Sequence, residues 1–135
     1  MKRTAFTLVE ILIVVIILGI LAAIVIPQFT QASNDARAAA LVSDLQTVRS
    51  QIELYKVQHL DNYPDADNIV NQLTMRTNAA GETGTDAETY PYGPYLQEFP
   101  TNPFVATGGN EVGTGKGWTW DGTTFAPADE AHSGL

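Results

Sequence analysis

The chain has no cysteine, so neither a disulfide framework nor a thiolate metal site can be built from it. Exported domains often do without bridges, which leaves the compartment open. Histidine is scarce. With only His59 and His132, no Ser-His-Asp, paired-His or Gly-rich phosphate motif can be assembled, so no catalytic residues and no enzyme are expected. Basic side chains are few as well. From Gln28 onward five of them (Arg37, Arg49, Lys56, Arg76, Lys116) face fourteen acidic ones. The resulting charge of about -9 repels phosphate backbones, and no nucleic-acid partner is expected.

Charge of either sign is missing between Glu10 and Asp35, and from Ile11 to Ile26 every residue is apolar or Gly. About 20 apolar residues, rising about 1.5 Å each, span a bilayer core of about 30 Å. A secretory signal peptide would have a shorter apolar run and a small-residue cleavage site after it. Here the run ends Ile26-Pro27-Gln28-Phe29. Lys2 and Arg3 precede the run and stay cytoplasmic by the positive-inside rule, which implies a single-pass anchor with the acidic part outside. The remaining residues suffice for one small head.

One acidic residue, Glu10, interrupts the apolar helix. A carboxylate at the centre of such a helix is penalised by about 2.5–3.5 kcal/mol on insertion scales unless it neutralises, snorkels or finds a partner. Two readings follow for Glu10. It reaches the headgroups from one turn inside the basic end, or it awaits a positive charge from another chain.

The stretch Ala5-Phe6-Thr7-Leu8-Val9-Glu10, the aliphatic run with Gly19, and the ending Ala22-Ala23-Ile24-Val25-Ile26-Pro27-Gln28-Phe29 resemble the prepilin signature of type IV pilins and type II secretion pseudopilins. The match covers about the first 30 residues. The resemblance implies that a membrane prepilin peptidase removes residues 1–5 as a leader, cutting between Ala5 and Phe6, and that the new amine of Phe6 is methylated. The family usually has Gly before the cut, where this chain has Ala5, which is also small. In family members the Glu equivalent to Glu10 pairs with the N-terminal amine of a neighbouring subunit, so Glu10 and Phe6 become the assembly residues. Such a pair fixes axial register more surely than aliphatic packing.

Gly19 and Pro27 weaken the helix, by about 1 and roughly 3 kcal/mol respectively for residues of these types in a helix interior. In related filaments the stretch between such residues can lose helical structure on assembly. Alternatively Gly19 permits close packing and Pro27 bends the helix at the membrane surface.

After Pro27 the apolar residues form a stripe. Ala38, Leu41, Val42, Leu45, Val48, Ile52 and Tyr55 recur at spacings of three and four, which extends the helix to about Gln58 or Leu60 and about 80 Å in all. Arg49 and Glu53 read as a solvated face. His59, Asp61, Asn62, Tyr63 and Pro64 mark the helix exit, with His59 expected as a cap or surface residue. A shorter helix is expected from Ala66 to about Met75, and a mobile loop over Asn78–Asp86. Tyr92-Gly93-Pro94-Tyr95-Leu96, followed by Phe99-Pro100-Thr101-Asn102-Pro103-Phe104, is similar to a motif of the major pseudopilin of type II secretion, the protein G type. Its Tyr95, Leu96, Phe99 and Phe104 are expected to cover the amphipathic helix. Near the end, Asp121-Gly122 suits a two-residue type I′ hairpin turn, with Trp118 facing Phe125 and Thr119 facing Thr124. These aromatics cap a core or, alternatively, form a sugar-stacking platform.

Related major pseudopilins carry calcium in a C-terminal acidic loop. Asn110, Glu111, Asp121, Asp129 and Glu130 are available oxygen donors here, yet the family's loop sequence and EF-hand spacing are both absent, so no metal ligand is carried over and calcium stays an open expectation.

The expected fold is thus α+β and type IV pilin-like: a long helix, apolar then amphipathic, on a small head with a short antiparallel β-sheet. Residues 6–28 form the transmembrane and filament-core helix. Residues 29–135 form a periplasmic head that includes the amphipathic half, 29–60. The resemblance implies an inner-membrane subunit extracted into a periplasmic filament of many copies. Its partners are the prepilin peptidase, other pseudopilins and an inner-membrane assembly platform. A surface pilin for adhesion, motility or DNA uptake, or a membrane-anchored binding module, are the alternatives.

Overall fold

A computed structural model describes residues 5–135. Helix α1 runs from Leu8 to Gln58 without interruption, and the chain divides into two units inside it, the first ending at Ala38 and the second beginning at Ala39. In the first unit the apolar side chains are all exposed, from Leu8 (83 %) to Phe29 (73 %). This helix is long and apolar enough to cross a membrane, with a mean hydropathy of 3.3 over its most apolar window. Lys2 and Arg3 lie outside the described residues.

The second unit is built on the stripe. Leu41, Leu45, Val48, Ile52 and Tyr55 are buried at the three- and four-residue spacing that puts them on one helix face. Against them pack Ile69 and Leu73 of α2 (Ile69–Thr74), with Phe99, Trp118 and Phe125. Tyr95, Leu96 and Phe104 from the proline-rich segment cover the same core, as expected. That segment is tied to α2 by two backbone bonds, from the Tyr95 and Leu96 amides to the Leu73 carbonyl, both 2.9 Å. The helix α2 is shorter than the 66–75 pattern suggests, because Asp65 and Asn68 make a turn before it.

The head carries two separate antiparallel ladders rather than one sheet. Strands β1 (Arg76–Thr77) and β2 (Thr83–Gly84) pair across the segment expected to be a mobile loop. Its order comes from Asn78, whose Oδ1 accepts the amides of Ala80 and Glu82, both at 3.0 Å, while Gly81 turns the chain at φ 81°. Strands β3 (Trp118–Trp120) and β4 (Phe125–Pro127) form the C-terminal hairpin.

The hairpin register differs from the two-residue turn read from the sequence. Trp118 pairs with Pro127, Thr119 with Ala126 and Trp120 with Phe125, leaving Asp121–Thr124 as the loop. Asp121 Oδ1 accepts the amides of Thr123 (2.8 Å) and Thr124 (2.7 Å) and the Thr123 hydroxyl (2.9 Å), which closes a longer turn than the type I′ geometry needs. A slip of two residues preserves the side-chain faces, where a slip of one would exchange them. Trp118 and Phe125 therefore still share the core, stacked at 5.1 Å.

Two further expectations are corrected. His59 is not a surface cap but is 1 % exposed, with its ring stacked 3.7 Å from Tyr55 and its Nδ1 2.8 Å from the Tyr55 carbonyl. One helical turn separates the two rings, and the buried face of α1 simply continues one turn further than its aliphatic residues. Burial, with Tyr95 and Asp65 nearby, pushes the Tyr55 hydroxyl up to about 12, so it stays neutral. Arg49, read as solvated, is half-buried and donates from Nε to the Phe125 carbonyl (2.9 Å) and from Nη2 to the Leu135 carbonyl (2.7 Å).

The end of α1 carries an unusual cap. Leu60 stands at φ 56° and the Asp61 amide donates back to the Lys56 carbonyl at 3.0 Å, a Schellman-type closure with leucine where glycine is customary. Lys56 Nζ lies 3.6 Å from Asp61 and over the Tyr63 ring at 4.6 Å, replacing the apolar contact that usually accompanies this cap.

Two outcomes follow for the head. Leu45→Ala should cost about 2–5 kcal/mol in urea unfolding, the range for truncating a fully buried leucine. Leu60→Gly should raise the melting midpoint by a few degrees in a thermal scan, because a left-handed backbone costs a non-glycine residue about 1–2 kcal/mol; a lower midpoint would show that the leucine side chain matters to the head.

Candidate functional site

The start of α1 is fixed by one reciprocal pair. The Glu10 amide donates to Thr7 Oγ1 (3.3 Å), and Glu10 Oε2 accepts both the Thr7 amide (2.8 Å) and the Thr7 hydroxyl (2.7 Å). Thr7 is the residue before the first helical position and Glu10 the third inside it, which makes a capping box. The signal for it lies in the sequence as Thr7-Leu8-Val9-Glu10, a Thr-x-x-Glu pattern ahead of an apolar run. It supplies a third reading beside snorkelling and pairing between chains. In the separate subunit the carboxylate is already held by its own helix end, where the helix dipole also favours negative charge.

Both Thr7 bonds fall on Oε2, and Oε1 has no hydrogen bond among the described residues. A carboxylate has about four acceptor directions, so the group keeps room for another donor while capped. Ala5 and Phe6 lie just before the helix in irregular backbone, and Phe6 is 79 % exposed. The peptide bond between them therefore lies outside the helical hydrogen-bond ladder.

Gly19 and Pro27 both sit within unbroken helix. A Cβ built at Gly19 meets nothing within 4 Å, so no contact within the chain calls for glycine there. Pro27 has no amide to donate, and the Thr30 hydroxyl bonds the Ile26 carbonyl at 3.2 Å in the next turn. Neither residue breaks the helix in the separate subunit.

The oxygen donors considered for calcium are not brought together. Asp121 closes the hairpin loop, Glu111 pairs with Lys116, and Asp129 is held by Asn102 and His132. Asn110 and Glu130 are exposed. Among the described residues no group of three or more acidic, histidine or cysteine side chains is placed to hold a metal ion. The donor set does not fit calcium, which needs six to eight converging oxygens. His132 carries no motif that would single it out in the sequence, and Asn102 appears there only as part of the proline-rich stretch.

Comparison with known proteins identifies a family. Residues 1–26 match the model of the prokaryotic N-terminal methylation motif, and residues 28–107 match that of type II secretion system protein G. Proteins named type II secretion system core protein G are similar along most of the chain. The one from Dickeya chrysanthemi is 30 % identical over 105 residues, which are 78 % of this chain and 65 % of the relative. That from Klebsiella pneumoniae is 30 % identical over 76 % of this chain and 70 % of its own length. That from Pseudomonas aeruginosa is 31 % identical over 76 % and 69 %. The chain thus spans about two thirds of the length of these relatives. No solved structure gives a significant match. A methylation motif on the exposed apolar helix, followed without a gap in organisation by a matching head, places this chain in the type II secretion system protein G family.

Proposed function

We propose that this chain is a structural subunit of a type II secretion pseudopilus, assembled from the inner membrane and used to drive protein export across the outer membrane. One observation carries the reading: an apolar helix exposed on every side holds a single carboxylate, Glu10, at its start. A surface with no cover inside the chain needs a lipid or a neighbouring helix, and the subunit uses each in turn.

In the membrane, residues 6–28 form the single-pass anchor and the acidic head lies in the periplasm. Prepilin peptidase cuts between Ala5 and Phe6, removes Lys2 and Arg3, and creates an ammonium on Phe6 that is then methylated. Glu10 waits with its charge satisfied by Thr7. On assembly the Phe6 ammonium of the next subunit reaches the carboxylate, and in a low-dielectric helix bundle this pairing exceeds what a neutral hydroxyl and amide offer. It selects one axial offset among the many that aliphatic packing would tolerate. The partners are further copies of this chain, other pseudopilins and the inner-membrane assembly platform. Membership of the protein G family favours this filament over a surface pilus, and the role is structural rather than catalytic.

Gly19 and Pro27 fit a helix that must yield. A segment between two weak points can lengthen when neighbouring helices draw the subunit into the filament, at lower cost than in a uniform aliphatic run.

Three measurements test this account. Intact-mass analysis of the membrane-extracted subunit should give a chain that begins with N-methylated Phe6. Glu10→Ala should leave membrane insertion intact and reduce cross-linked multimers at least about tenfold, the loss of one charge-assisted contact per interface; undiminished multimers would sink the pairing. Thr7→Ala should speed amide exchange in the first turn of α1, a loss of about 1 kcal/mol typical for an N-cap, while the melting of the head stays unchanged.

A further inference from the structure

The last residues of the chain are fastened to the head at one buried amide. Asn102 is fully buried, and both of its Nδ2 protons are used, on the Gly117 carbonyl and on Asp129 Oδ1, each at 2.8 Å. Its Oδ1 accepts the Phe104 amide at 2.9 Å. The other Asp129 oxygen, Oδ2, takes the Nδ1 proton of His132, whose ring lies against Phe104 at 4.4 Å. The backbone follows the side chains: the Ala128 amide donates to the Gly117 carbonyl (3.1 Å), and the His132 amide to the Asp129 carbonyl (3.1 Å). Arg49 holds the Leu135 carbonyl from α1.

In this arrangement each Asp129 oxygen already accepts a side-chain donor. Burial alone would raise the Asp129 carboxyl, but the hydrogen bonds from Asn102 and His132 outweigh it and hold the group below the usual carboxylate range. A calcium ion at Asp129 would compete with an imidazole and a buried amide for the same two oxygens, and displacing the amide would leave Asn102 Nδ2 with an unmatched donor. Glu111 is engaged by Lys116 in the same way, and Asp121 by its own loop.

We propose that Asn102, Asp129 and His132 form a metal-free clasp that fastens residues 128–135 to the head, so that the fold of this subunit does not depend on calcium. Side-chain donors do here what a divalent cation does elsewhere: they satisfy acidic oxygens on the terminal segment and fix that segment in place. The clasp stands on the geometry of the head and does not rest on the filament reading.

The test uses the full chain in detergent micelles, with unfolding of the head followed by tryptophan fluorescence in EDTA and in millimolar calcium chloride. The two midpoints should agree within about 1 °C, while His132→Ala should lower the midpoint by roughly 4–8 °C under both conditions, the shift for losing one such interaction in a domain of this size. His132→Asn, which keeps a donor at the position of Nδ1 but gives up the ring against Phe104, should recover part of the loss. Limited proteolysis of residues 128–135 gives a second readout, faster in His132→Ala than in the unaltered chain at a temperature where both heads are folded. A midpoint raised by several degrees with calcium, or His132→Ala without effect on both midpoint and proteolysis, would overturn the clasp.

Discussion

A single helix has to satisfy two different surroundings, and the rest of the molecule follows from how it does so. Within its first unit, from Ile11 to Ile26, α1 presents only apolar residues and Gly on every face, which only lipid or other helices can cover. Over the second it presents one apolar stripe, which Ile69 and Leu73 of α2, Phe99, and Trp118 and Phe125 of the hairpin cover. Leu41, Leu45, Val48, Ile52 and Tyr55 supply about half of the buried apolar side chains of the head. The head is therefore less a domain carried by a helix than a coat grown on it. Its two ladders are too short to hold a fold alone, and the β3–β4 hairpin is anchored by Trp118 and Phe125 in the core on the helix.

Polar contacts do a different job from the core. They decide where the chain starts, turns and stops. The Thr7 and Glu10 box opens α1, the Lys56 and Asp61 pair closes it, Asn78 and Asp121 shape the two hairpin loops, and Asn102 secures the end. All but the last are local, between residues no more than five apart, whereas Asn102 reaches 15 and 27 residues along the chain. The head is strongly acidic, and three of its cations are engaged, Arg49 on two carbonyls, Lys56 on Asp61 and Lys116 on Glu111.

Much of this was legible from residue types and spacing. Continuous apolarity marked the first unit, and the three-and-four stripe marked five of the buried core residues by name. The motif around Tyr95 marked the cover. What escaped was set by side chains acting at a distance or by competition between turns. His59 has the look of an exit residue, and the Tyr92 and Tyr95 rings beside it, with the stack on Tyr55, draw it inside. Asp121-Gly122 suits a tight turn, but an aspartate with two threonines after it offers the loop more hydrogen bonds, and the strands move two places. Asn78 orders a segment whose composition reads as loose. The capping box at Thr7 was within reach of the pattern Thr-x-x-Glu, which the oddity of a charge in an apolar helix overshadowed.

The boundary between the two units falls inside α1, between Ala38 and Ala39, and among the described residues every buried apolar side chain lies beyond it. For anyone producing this protein, that placement separates solubility from foldability. A chain begun at Ala39 would leave behind the whole lipid-seeking surface while keeping each residue of the core, and would offer the head alone to crystallisation, spectroscopy or the raising of antibodies.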